Sequence, residues 1–335
     1  MKQIAVIRLS SLGDIVCTGP AVRALKAKFP DSKLVFVTKD IYRDIATALP
    51  GVDEVSAIRK RGEGFRDDVL NLARVGPWDR VVDLQGSNRS KKLVSFLKPG
   101  KSITDRPPRF RRALLLGTRI RLGIFRPVPR RMAKRLGTWG VKPDGRSLEL
   151  IVPDAVWDGV KDRWGDGVAG SVVLVPGAKH ATKCWPDEYW AELVEKLPVD
   201  GSVIILGNKG EFPDSLQEYA KDRILDLTGE TGLLEAAAVL QHASLVISGD
   251  TGPMHMTVAV GAPLVAMFGP TVREFGFYPY RHDNSIVLER RMFCRPCSAH
   301  GSERCPLIHH KCMREITPDM VIDASKKIVN EPAKG

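Results

Sequence analysis

Short apolar runs rich in Val and Ile alternate with longer stretches of helical period along most of the 335-residue chain. This alternation predicts parallel β-strands, because parallel neighbours are joined by helical crossovers. A stretch rich in Pro, Gly and Asp with no clear period, VKPDGRSLELIVPD, follows residue 140 and is interpreted as a linker, after which the pattern restarts. Because the chain exceeds the usual size of one core, we expect two α/β domains, residues 1–150 and residues 151–330.

The elements of both halves can be placed approximately. Strands are predicted at 4–8, 33–38, 52–58, 80–84, 171–177, 202–207, 224–228, 245–249 and 263–269. Helices are predicted at 21–29, 187–197, 211–221, 232–242 and 253–260. Two doubly wound, Rossmann-like sheets of this kind bind ligands at the carboxyl ends of their strands, so we expect them to face a central cleft.

A formal charge of +12 indicates an anionic partner. The excess lies mainly in the basic segment, residues 106–135, where 11 of 30 residues are Lys or Arg and none is acidic. Nucleic acid, an anionic membrane surface and a phosphorylated glycolipid would each suit such a segment, and a solvated basic face is the alternative. The start of the chain lacks the features of a signal peptide, and no apolar run is long enough to span a bilayer, so a cytoplasmic protein is expected.

Three strand-to-helix turns carry candidate chemistry. The first, RLSSLGDIV, has Ser11, Gly13 and Asp14 before a helix predicted to begin near Ile15. Taken alone, Asp14 is more typical of a helix N-cap than of a catalytic base, since Asp is among the best N-cap residues. The turn is not GxGxxG, which disfavours a dinucleotide-dependent dehydrogenase.

The second and third turns suit a diphosphate. In PGAKHATKCWPDEYWAEL, Gly177 permits close approach of the backbone and Lys183 can reach a phosphate; an ordinary turn with a solvated Lys is the alternative. In SGDTGPMHMTVAVGAPLVAMFGPT, the free N–H groups of a helix start can bind an anion. The residues concerned are Asp250, Thr251, Gly252 and His255, with capping by Asp250 and a core role for His255 as alternatives.

These three segments, in this order, resemble the signature regions of glycosyltransferase family 9, the ADP-heptose lipopolysaccharide heptosyltransferases. The resemblance covers nearly the whole chain, and the stretch CRPC…RCPLIHHKCMREITPDMV favours the heptosyltransferase II branch. It implies a GT-B fold, with the acceptor bound by the N-terminal domain and the donor by the C-terminal domain, and a metal-independent inverting transfer.

The resemblance also assigns roles to residues. It implies that Asp14 is the general base, reversing the preference for a cap. It implies that Lys183 contacts the donor phosphates and that Asp250, Thr251, Gly252 and His255 line the donor site, to which we also assign Gly177. We assign the acceptor to Ser11, Gly13, Arg111 and Arg112. Two departures leave the acceptor less defined: Gln85 stands where a His is common in the family, and the basic segment is unusually rich in Arg.

Four cysteines lie close together as Cys294-x2-Cys297-x7-Cys305-x6-Cys312. In a reducing compartment this clustering favours a thiolate site for structural zinc over disulfides. Only the x2 spacing matches a zinc knuckle, so free thiols and an iron–sulfur cluster stay open as alternatives.

The sequence therefore predicts transfer of heptose from ADP-heptose to the phosphorylated inner core of lipid A, without a catalytic cofactor. We expect peripheral contact with the anionic inner face of the cytoplasmic membrane and no nucleic-acid partner. The alternatives are a related transferase with another sugar nucleotide or acceptor, and a basic nucleic-acid-binding protein with a zinc knuckle. The latter is disfavoured because the basic segment contains few aromatic residues.

Overall fold

Parallel strands joined by helices make up the chain, as a computed structural model shows. The structure describes residues 2–59, 63–121, 123, 126–197, 202–217 and 223–330. Backbone contacts divide the chain into two compact units. Unit 1 comprises Met1–Pro108 and Val128–Ile151, and unit 2 comprises Arg109–Pro127 and Val152–Gly335.

The elements follow one another in a regular βα order. The strands are β1 Gln3–Ile7, β2 Lys33–Lys39, β3 Glu54–Ile58, β4 Arg80–Asp83, β5 Lys101–Thr104, β6 Val172–Val175, β7 Val203–Ile205, β8 Ile224–Asp226, β9 Leu245–Gly249, β10 Leu264–Phe268 and β11 Ser285–Glu289. The helices are α1 Leu12–Val16, α2 Gly19–Lys28, α3 Arg43–Thr47, α4 Glu63–Arg74, α5 Asn88–Leu97, α6 Arg109–Thr118, α7 Val128–Arg135, α8 Asp154–Trp164, α9 Asp187–Lys196, α10 Leu233–Gln241, α11 Gly252–Val260, α12 Lys311–Arg314 and α13 Pro318–Asn330.

Each unit contains one all-parallel sheet. In unit 1 the strand order is β3-β2-β1-β4-β5, and in unit 2 it is β11-β10-β9-β6-β7-β8. Numbered from the first strand of each unit, both sheets follow the doubly wound order 3-2-1-4-5, which unit 2 extends with a sixth strand. The direction of winding reverses between β1 and β4 in unit 1 and between β6 and β9 in unit 2, so these pairs mark the expected ligand positions.

The sheets are covered by apolar side chains on both faces, as parallel sheets require. Strands β6, β9 and β10 are fully buried, and Trp190 of α9 packs on them at 2% exposure. In unit 1, Ile7 of β1 and Val35 of β2 lie in the core with Trp78, whose indole N–H donates to the Leu72 carbonyl at 3.1 Å. These two hydrophobic cores hold the strand ends, and the turns that follow them, in fixed positions.

Every predicted strand is present, and two further strands were missed. Both lie at sheet edges: β5, with only Ile103 buried, and β11, which is half-buried along its length. An edge strand buries little apolar surface, so its sequence pattern is weak. The prediction that the first helix begins near Ile15 is wrong, since α1 begins at Leu12. The helix predicted at 211–221 is replaced by a short 3₁₀ turn at Asp214–Leu216, and residues 218–222 lie outside the described part.

Part of the basic segment belongs to unit 2. Leu115 of α6 is 2% exposed and packs with Val272 and Phe275, which follow β10. Arg121 forms an ion pair with Glu274 at 3.5 Å. The stretch Arg109–Pro127 thus packs on the later half of the sequence, although it lies between elements of unit 1. Across the described residues, none of the helices combines the length and the apolar character needed to cross a bilayer.

Candidate active site

Asp14 lies in the turn after β1, on the first turn of α1. Ser11 is the N-cap residue of this helix, and the Asp14 carboxylate accepts hydrogen bonds from the Ser11 amide at 3.2 Å and the Ser11 hydroxyl at 2.9 Å. Its other oxygen pairs with the Arg8 guanidinium at 2.7 Å. Asp14 is therefore not the N-cap, although its bond to the Ser11 amide is one half of a capping box.

Arg8 keeps Asp14 ionised. Burial raises the pKa of Asp14, but the Arg8 charge and the two Ser11 hydrogen bonds lower it by more, so the pKa of Asp14 lies below its usual value. Arg8 is itself 8% exposed and is fixed by the carbonyls of Ser10 at 2.9 Å and Leu84 at 2.5 Å. Burial and the Asp14 charge raise the pKa of the Tyr42 phenol. Neither Arg8 nor Tyr42 was predicted from the sequence as a site residue.

The end of β4 supports the same turn from the adjacent strand. Asp83 is fully buried and accepts hydrogen bonds from the amides of Gln85 and Gly86 and from the Ser90 hydroxyl, at 2.9–3.0 Å. Burial raises the pKa of Asp83 despite these bonds. The Gln85 side-chain oxygen then accepts from the amides of Leu9 at 3.0 Å and Ser10 at 3.2 Å. Gln85 thus holds the backbone that carries the Asp14 turn, a role that needs no titrating group.

The role of Gln85 can be tested with Gln85→Met. Methionine has similar length but offers no strong acceptor, so the Leu9 and Ser10 amides lose their partner and the turn is free to shift. We expect kcat to fall roughly tenfold, because a misplaced reacting group costs up to about 10²-fold. Steady-state kinetics against the exposed Gln241→Met as a control would measure this. Equal kcat values for the two variants would contradict the role.

A second cluster lies in unit 2, at the ends of β6 and β9. Lys183 is 15% exposed in its side chain, and its ammonium pairs with the Asp250 carboxylate at 2.7 Å and the Asp250 carbonyl at 3.0 Å. The Thr271 hydroxyl donates to the same carboxylate at 2.7 Å. The alternatives of a solvated Lys183 and of Asp250 as a helix cap are therefore wrong. Within the described residues the third N–H of Lys183 has no protein partner, which leaves it available to a phosphate oxygen.

Helix α11 begins beside this pair. Thr251 is its N-cap residue, but the Thr251 side chain makes no capping bond and instead contacts the Ser248 hydroxyl at 3.1 Å. Gly252 occupies the first helical position, and the Lys183 ammonium bonds the Asp250 carbonyl, one residue before the Thr251 N-cap. His255, one turn further, is 4% exposed, and its ring meets Phe277 edge to face at 6.1 Å. A helix start and an ammonium side by side form a suitable place for a diphosphate.

Gly177 allows a carboxylate to lie over the end of β6. A Cβ atom at this position would be 2.1 Å from the Glu211 carboxyl carbon, so any side chain would displace Glu211. Glu211 is fixed there by hydrogen bonds from the amide and side chain of Asn208, at 2.7 and 2.9 Å.

The two arginines assigned to the acceptor both lie on α6, in unit 2. Arg111 is exposed. Arg112 is half-buried, donates to the Phe275 carbonyl at 3.3 Å, and lies 5.8 and 5.7 Å from the ring centres of Phe275 and Phe277. Since Phe277 also contacts His255, Arg112 belongs to the aromatic surroundings of the α11 turn.

The cysteine segment, Cys294–Cys312, brings its four thiols into one neighbourhood. Burial and the thiols of Cys305 and Cys294 raise the pKa of Cys297. Burial is also the main cause that raises the pKa of Cys312 to about 11, with Arg295 opposing it. All four thiols are free. In the part of the chain that the structure describes, no group of three or more His, Cys, Asp or Glu side chains is arranged to hold a metal ion.

Comparisons with known proteins connect the unit 2 site to a family. Residues 161–307, which include Lys183, Asp250 and α11, match the model of "Glycosyltransferase family 9 (heptosyltransferase)". Over these residues the chain is similar to glycosyltransferase family 9. This confirms the resemblance found in the sequence.

Relatives extend this similarity to unit 1. "Lipopolysaccharide heptosyltransferase 3" of Escherichia coli K12 is 25% identical over 360 residues, covering 96% of each chain. "Lipooligosaccharide heptosyltransferase 2" of Campylobacter jejuni is 27% identical over 163 residues, about half of each chain (47% and 50%). The solved structure of "E. coli ADP-heptose lps heptosyltransferase II" covers 100% of both chains with a TM-score of 0.79 at 22% identity. That likeness confirms the predicted GT-B fold class.

Proposed function

We propose that this chain is an inverting glycosyltransferase that moves heptose from ADP-heptose to the inner core of lipopolysaccharide. The observation that carries the proposal is the Lys183–Asp250 pair beside the open start of α11, at the point where the winding of the unit 2 sheet reverses. This arrangement suits the diphosphate of a sugar nucleotide. The full-length relatives carry heptosyltransferase names, which supports heptose as the transferred sugar.

Asp14 would act as general base in the transfer. The acceptor hydroxyl gives its proton to the Asp14 carboxylate while its oxygen forms the new bond to the anomeric carbon. The bond from that carbon to the β-phosphate breaks at the same time, and its electron pair leaves with ADP. Because the pKa of Asp14 is lowered, the carboxylate is ionised and ready at neutral pH.

Lys183 and α11 would stabilise the departing ADP. Negative charge grows on the diphosphate as the bond breaks, and a cation with helix N–H groups directed at it lowers the barrier. These groups do what a divalent ion does in many transferases, so catalysis needs no added metal. Gly177, Thr251, Gly252 and His255 would line this donor site, and Ser11 and Gly13 would contact the acceptor beside Asp14.

The exposed part of the basic segment would meet the phosphorylated acceptor. Arg111 is exposed and free of the aromatic packing that holds Arg112, so of the two arginines it is better placed to reach phosphates. The same positive surface would favour peripheral contact with the anionic face of the membrane that carries a lipid-linked acceptor.

The function can be tested with purified protein, ADP-heptose and a heptose-deficient core acceptor. We expect transfer to continue in EDTA, and ADP to compete with the donor, because protein groups supply the positive charge. Thermal-shift measurements with ADP, UDP and GDP would give the nucleotide preference, since a ligand of the native state raises Tm. Stabilisation by UDP or GDP but not by ADP would contradict the assigned donor.

For the cysteine segment we propose structural zinc rather than a catalytic ion. Burial and the neighbouring cysteines raise the pKa of Cys297 and of Cys312, and a cation bound among these sulfurs would favour their thiolate forms. Ligation would require local movement, because the described side chains are not arranged at a metal site.

Measuring the zinc content of the purified protein tests the proposed zinc site directly. If zinc is bound, Cys297→Ser should lower both the zinc content and Tm, because metal-binding free energy adds to folding free energy. Cys17→Ser is a matched control, since this buried thiol lies outside the segment. Elemental analysis that finds no zinc in protein purified without chelators would contradict the proposal.

A further inference from the structure

The cysteine segment packs directly on the turn that carries Lys183. Thr182, the residue before Lys183, is 3% exposed and bonds to this segment through its amide, its hydroxyl and its carbonyl. Its amide and hydroxyl donate to the Ser302 carbonyl at 3.1 and 2.8 Å, and its hydroxyl accepts from the Ser302 amide at 2.8 Å. The ring of His310 contacts the Thr182 carbonyl at 2.9 Å. The backbone on the N-terminal side of Lys183 is therefore fixed by the cysteine segment.

Arg295, in the same cysteine segment, supports the surroundings of Asp250, the ion-pair partner of Lys183. Arg295 is 2% exposed and donates to the carbonyls of Thr271 at 2.7 Å and Phe268 at 3.1 Å, with its charge offset by Glu289 at 2.9 Å. Thr271 in turn donates its hydroxyl to the Asp250 carboxylate at 2.7 Å. The cysteine segment thus holds the neighbours of both Lys183 and Asp250.

Gly301 brings the same segment against the Lys183 side chain itself. A Cβ atom at Gly301 would lie 2.8 Å from the His180 Cβ and 3.2 Å from the Lys183 Cγ. The aliphatic part of the Lys183 side chain therefore lies against the backbone of Gly301, which has no side chain. This contact limits the directions in which the Lys183 ammonium can point.

We infer that the cysteine segment is the positioning element of the donor site, which aims Lys183 at the donor diphosphate through Thr182, Gly301 and Arg295. This rests on the proposed function, since it assigns a purpose to the geometry around Lys183. It gives the segment a role in donor affinity that is separate from any role in global stability. Small displacements here change the position of a charge that acts on a diphosphate, where distance is decisive.

Gly301→Ala tests the inference against a matched control, Gly165→Ala. Both glycines have a left-handed φ, +96° and +82°, so both variants carry backbone strain, but a Cβ at Gly165 meets nothing within 4 Å. We expect Gly301→Ala to raise the donor KM and the Kd for ADP on the order of tenfold, with the acceptor KM unchanged. Gly165→Ala should lower Tm without affecting either donor constant. Equal donor constants in the two variants would overturn the inference.

Thr182→Val provides an independent measurement if Gly301→Ala folds poorly. Valine keeps the shape but removes the hydroxyl that pairs twice with Ser302, and Ser325→Ala removes a hydroxyl of similar burial from α13 as a control. A raised donor KM in Thr182→Val alone supports the inference, and no difference between them contradicts it. Wild-type protein that fails to bind ADP would remove the proposed function and this inference together, whereas normal binding in all variants removes the inference alone.

Discussion

Asp14→Asn is expected to lose at least about 10²-fold in kcat, because an amide cannot take the proton of the acceptor hydroxyl. The variant should still bind ADP, since Asp14 and the Lys183–Asp250 pair lie in different units. It should also be less stable by about 2 kcal/mol, because the buried Arg8 loses a charged partner at 2.7 Å. Single-turnover kinetics, ADP titration and thermal melting together separate these effects.

The structure offers a matched control in Asp144→Asn. Asp144 pairs with Arg23 at 2.7 Å within unit 1, and the exposed fractions of its ion pair, 25% and 7%, are close to the 21% and 9% of the Asp14–Arg8 pair. A similar loss of Tm with nearly full kcat is expected for Asp144→Asn. If Asp14→Asn retained nearly full turnover, Asp14 would be a structural residue of the α1 capping box and another carboxylate would have to be the base.

The lowered pKa of Asp14 also sets a pH expectation. A carboxyl group with a depressed folded-state pKa contributes stability above its unfolded pKa of about 3.9 and loses it as pH falls through the folded value. The Arg8–Asp14 pair should therefore be intact at neutral and mildly acidic pH. Loss of kcat between about pH 8 and pH 5 would then have to come from a group other than Asp14.

Lys183→Met should reduce kcat/KM for the donor by about 10²- to 10³-fold, the usual effect of losing one group that stabilises a developing anion. The Kd for ADP should rise as well, because the diphosphate loses its ammonium partner and faces the Asp250 carboxylate. Isothermal titration and initial rates at varied donor concentration would measure both changes.

Lys26→Met is the control for this substitution. The Lys26 ammonium also bonds one carboxylate, that of Asp53, and one carbonyl, that of Ser32, but it lies in unit 1. Its loss should lower Tm slightly and leave the donor constants unchanged. Unaltered ADP affinity in Lys183→Met would remove Lys183 from the donor site.

The pattern of apolar residues along the sequence was sufficient to place the candidate site residues at the ends of strands. The strands that precede Asp14, Lys183 and Asp250 are central and buried, so their apolar runs are unambiguous and the turns after them follow from topology. The edge strands β5 and β11 were missed because little of either strand is buried, although the other two edge strands, β3 and β8, were predicted.

Long-range supports of the site could not be predicted in the same way. Gln85 reaches Leu9 and Ser10 across 75 or more residues, and Thr271 bonds Asp250 from the next strand end. Both residues lie in segments compared with the family, but neither role could be inferred from them, because each role depends on which strands are neighbours. Arg8 stands at the end of an apolar run, and that position was the one available signal of a functional side chain.

The grouping of Arg109–Pro127 with unit 2 has a consequence for how the chain folds during synthesis. Leu115 emerges from the ribosome more than 150 residues before its partners Val272 and Phe275. The apolar side of α6 therefore stays exposed while Val128–Ile151 is synthesised and packs into unit 1. A fragment cut at residue 150 would keep that uncovered side, and a chimera that exchanges unit 1 between relatives would separate α6 from its partners. A chimera that preserves these contacts should instead take residues 109–127 and the C-terminal half from the same relative.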